Sequence, residues 1–170
     1  FASLFDPLFG TTSQPFTTLT WPGVVHTVNY DLGNQNVSYW DTRYKNEDNV
    51  TGAVWNLGWS YRNDGVDIWE DTDTNPASIR VHVGSTVSNE WLKYTVNVAS
   101  GGNFKIAFRV AGAANGQIRL YDGTNNIVGP LRITNTGSYG TWKTQTNNAK
   151  SLLTSGTHSI KLSFNKIISE

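Results

Sequence analysis

The side chains in this chain best suited to chemistry are aromatic. Residues 89–98 read NEWLKYTVNV. As a strand this alternates, with Leu92, Tyr94, Val96 and Val98 on one side and Trp91, Lys93, Thr95 and Asn97 on the other. The first side is a core face. The second is polar except for its largest member, Trp91. GQIRLYDG repeats the arrangement, with Ile118 and Leu120 inward and Arg119 and Tyr121 outward. A flat ring on the wet side of a sheet is a stacking platform for the apolar C–H face of a sugar, whose hydroxyls take neighbouring amides and charged groups. Lys93, Arg109 and Arg119 share that polar side in the strand reading. The competing role of an outward tryptophan is to be covered by a loop.

Other chemistry finds little support. Histidines stand at 26, 82 and 158, in no metal-ligand or catalytic spacing. Glu47, Glu70, Glu90 and Glu170, with nine aspartates, include no pair that spacing marks as a glycosidase couple. No nucleophile elbow, phosphate loop or nucleotide fingerprint occurs, so no enzyme is expected. DTDTN sets Asp71, Asp73 and Asn75 in the alternation that opens a calcium loop, but Pro76 stands where a turn glycine belongs and His82 where the bidentate acid belongs. These three are the metal candidates, beside the simpler reading of a polar surface loop. Asn36 and Asn49 begin glycosylation sequons.

The elements that must hold the aromatics are strands. The chain has 170 residues, enough for one domain with a core. Thirteen basic and thirteen acidic residues give zero formal net charge, which recruits neither nucleic acid nor an anionic membrane. No apolar run is long enough to span a bilayer. Cysteine is absent, which removes disulfides and thiol chemistry. Methionine is absent too, which leads to the expectation of a processed chain or a fragment. Aromatics make up 12%, with seven Trp, a balance that suits a secreted β-sandwich.

Residues 1–23 differ from the rest and read as a tail, linker or docking segment. Within them PFTTLTW alternates Phe16, Thr18 and Thr20 against Thr17, Leu19 and Trp21. From Val24 strands are expected, VVHTVNY placing Val24, His26, Val28 and Tyr30 on one face. NFKIAFRV turns Phe104, Ile106, Phe108 and Val110 inward, and HSIKLSF does the same with Ile160, Leu162 and Phe164. Short alternating runs, separated by clusters such as ASGG and DGTNN, predict an all-β chain. Its expected fold is an antiparallel β-sandwich of jelly-roll type over residues 24–170.

The segments VVHTVNYD, NVSYWDT, YRNDGVDI, EWLKYTVNV, NFKIAFRVA, NTGSYGTWKT and GTHSIKLSF, in this order, resemble a family 6 carbohydrate-binding module over roughly residues 22–164. The resemblance implies a β-sandwich that recognises sugar without catalysis. It also implies two ligand sites. One lies in loops at the end of the sandwich, where two aromatics clamp a sugar and an asparagine near the C-terminus bonds it. The second aromatic falls on Trp142, the first on Ser85, and the asparagine belongs to a closing strand that the residues up to Glu170 are expected to lack. The other site is a concave face with a tryptophan platform, which falls on Trp91. Where the family often opens with Glu-x-Glu toward a structural calcium, this chain has His26 and Val28, and valine cannot ligate calcium.

The expectation is therefore a secreted, non-catalytic module for a polysaccharide or oligosaccharide of agar, xylan or β-glucan type, needing no cofactor. Trp91 and Tyr121 would stack on sugar, Trp142 and Tyr139 would form a second patch, and Arg119, Asp122 and Asn135 would add polar contacts. Tyr61, Trp59 or Trp55 could replace the missing clamp aromatic. The alternative is an assembly subunit that self-associates when residues 1–23 complete a neighbouring copy's sandwich.

Overall fold

The computed structural model describes residues 12–42, 61–62, 65–147 and 151–166. Trp55, Trp59 and the sequon at Asn49 lie outside them. The strands are β1 (Leu19–Trp21), β2 (Tyr39–Trp40), β3 (Ile68–Glu70), β4 (Val81–Val83), β5 (Trp91–Val98), β6 (Gly102–Phe104), β7 (Ala107–Val110), β8 (Gly116–Asp122), β9 (Asn125–Ile133), β10 (Lys143–Thr146), β11 (Ser151–Leu153) and β12 (Gly156–Lys166). No α-helix occurs among the described residues, and the architecture is the expected all-β sandwich.

The three clearest alternations build one sheet. β12 lies between β5 and β8, antiparallel to both, and β9 continues the sheet from β8. The β8–β9 hairpin closes through Gly123, whose φ of 56° is the positive value that a tight two-residue loop favours. Inward residues of the central strands are buried, among them Leu92, Tyr94, Val96, Ile118, Leu120, Ile160 and Leu162. They form one cluster with Val28, Tyr30, Tyr39, Val66 and Ile68. Ile106, Phe108 and Val110 pack against the same cluster, from segments outside the large sheet. β1 and β2 also join the large sheet, and the other six strands form three two-stranded pairs, β3–β4, β6–β11 and β7–β10.

Two local readings need correction. VVHTVNY is not a strand: Thr27–Asn29 form a 3-10 turn, which buries Val28 and Tyr30 while Val24 stays exposed. Alternate burial alone does not distinguish an extended loop from a strand. NFKIAFRV keeps its alternation but is cut after Phe104, β6 pairing with β11 and β7 with β10. The consequence falls on Arg109, which was expected beside Lys93 and Arg119. It lies on β7, outside the large sheet, and its Nε and Nη2 donate to the two carboxylate oxygens of Asp73 at 2.9 and 2.7 Å.

Residues 19–21 join the sheet within their own chain. β1 runs parallel to β5, with Leu19 opposite Val96 and Trp21 opposite Val98. β2 pairs with the start of the same β5, Tyr39 opposite Leu92 and Trp40 opposite Trp91. Buried polar groups fix this region. The Asp31 carboxylate accepts from Ser13 Oγ, the Thr95 amide and Thr95 Oγ1. The Arg62 guanidinium lies over the Tyr30 ring and donates to the Tyr30 carbonyl. Tyr94, buried among apolar groups, has its phenol pushed far above the ordinary value, so it remains a donor, held by the Thr27 carbonyl at 2.9 Å.

Candidate functional site

The outer side of the large sheet carries two rows of side chains. Register fixes them, because residues directly opposite on neighbouring strands project to the same side. The first row runs Trp40 on β2, Trp91 on β5, Ser163 on β12 and Arg119 on β8. The second runs Lys93 on β5, Lys161 on β12, Tyr121 on β8 and Asn126 on β9. Trp91 and Tyr121 thus stand two strands apart on one face. Lys161 joins them: its ammonium lies 5.0 Å from the Tyr121 ring centre and 5.9 Å from that of Trp91. Such cation–π contacts hold both rings in place on either side of one charge. Trp91 and Tyr121 are half-buried, and Trp40 is exposed.

Arg119 belongs to the same face. A Cβ at Gly129 would lie 3.0 Å from Arg119 Cγ, so the stem runs close over this glycine, whose φ is 114°. Its Nη2 donates to Gln117 Oε1 at 3.4 Å, and its buried Nε meets no acceptor among the described residues. Asp122 is not on this face. One residue beyond Tyr121, it turns to the other side, where its carboxylate meets His158 Nδ1 at 2.7 Å. The other nitrogen of that ring meets the Thr154 carbonyl.

A second aromatic group forms around β3 and β4. Trp69 and His82 are cross-strand neighbours, and the His82 ring meets Trp142 edge-on with ring centres 4.9 Å apart. Trp69 lies close over Gly84, where an added Cβ would come within 2.7 Å of its ring. Its indole N–H donates to Ser85 Oγ at 3.3 Å. Trp69 therefore stands beside the position where the family resemblance sought a clamp aromatic and found Ser85. Burial lowers the His82 pKa against the opposing pull of Asp71, which disfavours the charged form of the ring beside Trp142.

Tyr139, the most exposed large apolar residue described, lies in the same 134–142 loop as Trp142. Asn135 shapes that loop: its Nδ2 donates to the Ala113 carbonyl and its Oδ1 accepts from the Gly137 amide. Tyr61 stands apart, edge-on to Phe16, with its hydroxyl donating to Asn29 Oδ1.

The DTDTN loop is a ladder of side-chain turns. Asp71 Oδ1 accepts from the Asp73 amide, Asp73 Oδ1 from the Asn75 amide, and Asn75 Oδ1 from the Ala77 amide. Both Asp73 oxygens also take the Arg109 guanidinium, and hydrogen bonding to Arg109 holds this carboxyl below its usual range. The Asp73 charge thus favours folding above the ordinary carboxylate pKa of about 4 and is lost as pH falls through the lowered folded value. Asp73→Asn is expected to destabilise the protein by about 1–2 kcal/mol near neutrality, a figure discounted for the part-exposed Arg109. Urea melts should show the gap narrowing in acid.

Sequence reading missed Trp40, Trp69 and Lys161. Trp40 belongs to a two-residue strand, too short for alternation to mark. Trp69 belongs to a three-residue strand, where the same reason applies. Lys161 was findable: it alternates with Ile160 and Leu162, which were assigned inward.

The family model of carbohydrate binding module (family 6) matches residues 58–167. Among solved structures, the family 6 module of Cellvibrio mixtus lichenase 5A in complex with cellotriose is 27% identical, at a TM-score of 0.50, over 62% of this chain and 81% of that one. CsCBM6-3 of Clostridium stercorarium in complex with cellobiose shares the fold, at a TM-score of 0.56 and 15% identity over 87% of this chain and 88% of that one. A further family 6 module, 17% identical, reaches a TM-score of 0.60 with 89% of each chain covered. No curated protein matches the chain. With the family match covering well over half of its residues, and a sandwich of the same fold beneath it, the chain belongs to the family 6 carbohydrate-binding modules.

Proposed function

We propose that this module binds a polysaccharide of agar, xylan or β-glucan type across the outer face of the large sheet, and that it does so without catalysis. The observation that carries the reading is the pair of rings, Trp91 and Tyr121, held on one face by Lys161 with Trp40 in register beside Trp91. Two platforms on strands separated by β12 lie too far apart to share one pyranose ring, so they suit successive residues of a chain. Trp69 and Trp142 make a second patch, with Trp69 taking the part of the clamp aromatic absent at Ser85. Polymeric glycans of these kinds lie outside cells, which agrees with a secreted module.

Affinity electrophoresis of the full chain in gels containing agarose, xylan or laminarin tests the reading. Retardation by at least one polymer is expected, weakened by about threefold to tenfold in Tyr121→Ala, a typical loss for one aromatic contact. Unretarded migration in every gel would contradict it.

We further propose that the fold requires no calcium at the DTDTN loop. A cation there would have to compete with the Arg109 guanidinium for both Asp73 oxygens. The melting temperature should be the same in EDTA and in millimolar calcium. A rise of several degrees with calcium, absent in Asp73→Asn, would overturn this.

A further inference from the structure

Lys93 and Lys161 face each other directly on neighbouring strands of the face that carries Trp91 and Tyr121. Like charges in this position destabilise a sheet unless something of opposite sign lies between them. No carboxylate lies within ion-pair distance of either lysine or of Arg119 among the described residues. The acids nearby in the fold are otherwise engaged. Asp31 is buried on Thr95 and Ser13, Asp122 is turned away onto His158, and Glu90 accepts from the Thr42 and Val87 amides. Arg119 adds a third positive charge in the row of Trp91, with a buried Nε still without an acceptor. A chain of zero formal net charge has thus gathered, around its aromatic platform, three cations with no ion-pair partner among the described residues.

We propose that this face selects anionic glycans, polysaccharides whose sugar rings carry carboxylate or sulfate groups. The inference rests on the reading of the face as sugar-binding and specifies which sugars. The rings of Trp91 and Tyr121 stack on pyranose faces. The ammonium of Lys161, poised between them, meets the anionic substituent of the stacked sugar, with Lys93 beside it and Arg119 at the end of the row. A charge-assisted contact of this kind is stronger than a bond to a neutral hydroxyl and relieves the lysine pair. Nucleic acid is the less favoured polyanion, because the face holds three cations in a patch and not a track along a backbone.

The full-length chain is titrated calorimetrically with polygalacturonate, κ-carrageenan, agarose, laminarin and single-stranded DNA. At least one of the first two should bind about tenfold or more tightly than the neutral polymers, and this preference should shrink as salt screens the charges. Binding of polygalacturonate alone assigns carboxylate, of κ-carrageenan alone sulfate, and of both a general anionic preference. Lys161→Gln should lose about tenfold toward the anionic polymer, and more there than toward any neutral one. Lys143→Gln, outside this sheet, should change nothing. Without ligand, Lys93→Gln, which relieves the like-charge pair and leaves the Lys161 contacts with both rings in place, should melt no lower than the parent. Equal or tighter binding of neutral glycans, equal effects of Lys161→Gln and Lys143→Gln, or no binding of either anionic polymer overturns the proposal. Lys161-dependent capture of DNA in preference to glycans does so as well. If glycan binding persists undiminished in Trp91→Ala, it is the sugar-binding reading of the face that has failed.

Discussion

Trp91→Ala is expected to remain folded and to lose most of its glycan affinity. The side chain is half-buried and belongs to no part of the apolar cluster, so its removal should cost about 1 kcal/mol or less of stability. A fully buried aromatic truncated to alanine would cost about 3–5 kcal/mol. Binding behaves in the opposite way. A central tryptophan platform is worth about 2–4 kcal/mol, which is roughly 30-fold or more in affinity. Calorimetry with a retained polysaccharide and urea melts of both proteins separate the two effects. A folded mutant with parental affinity would remove Trp91 from the site. Trp40→Ala should fall between the mutant and the parent, since Trp40 extends the same row from the edge strand.

Deleting residues 1–23 is expected to have the largest effect on stability. The deletion removes β1 and uncovers the edge of β5 from Val96 to Val98. It also takes away buried Leu19, the tilted contact of Trp21 with Phe104, and the Ser13 hydroxyl that bonds Asp31. Loss of one buried leucine alone costs about 2–5 kcal/mol, so the truncated chain should melt many degrees lower or fail to fold. Leu19→Ala gives the graded version, with a loss of about 2–4 kcal/mol in urea. The same proteins address the assembly alternative. With β1 paired within its own chain, residues 1–170 would sediment as a monomer at all concentrations. A concentration-dependent oligomer that dissociates on deletion would instead favour exchange of the segment between copies.

The central sheet was legible because three of its four long strands alternate without interruption, while β9 pairs with shifts in register. In β5, β8 and β12, period-two alternation runs over seven or more residues, so the buried and outer sets separate without ambiguity. That gave Trp91 and Tyr121 the outward phase, and the pairing of β12 with both β5 and β8 puts them on one face of one sheet. Short strands carry no such signal. Trp40 and Trp69 stand in strands of two and three residues, although each completes an aromatic group. Pairing partners were also hidden, since alternation gives phase and not neighbour. Arg109 has the right phase but pairs through β7 with β10, and a buried aspartate 36 positions earlier takes its charge. Asp122 lies only one residue from Tyr121, yet that single step turns it to the other side of the sheet. Ser85 showed where an aromatic was missing; only the folded β3–β4 pair brings Trp69 to it.

The most direct test of the platform is the set of seven indole N–H resonances, one per tryptophan, followed in a nitrogen-15 spectrum during titration with an oligosaccharide of the retained polymer. Tryptophan-to-phenylalanine variants supply the assignments. The Trp91 resonance should move most and saturate with the binding curve, Trp40 should move with it, and buried amides of the core strands should stay in place. Saturating ligand that leaves Trp91 unmoved while shifting Trp69 or Trp142 would put the sugar at the β3–β4 corner and contradict the account.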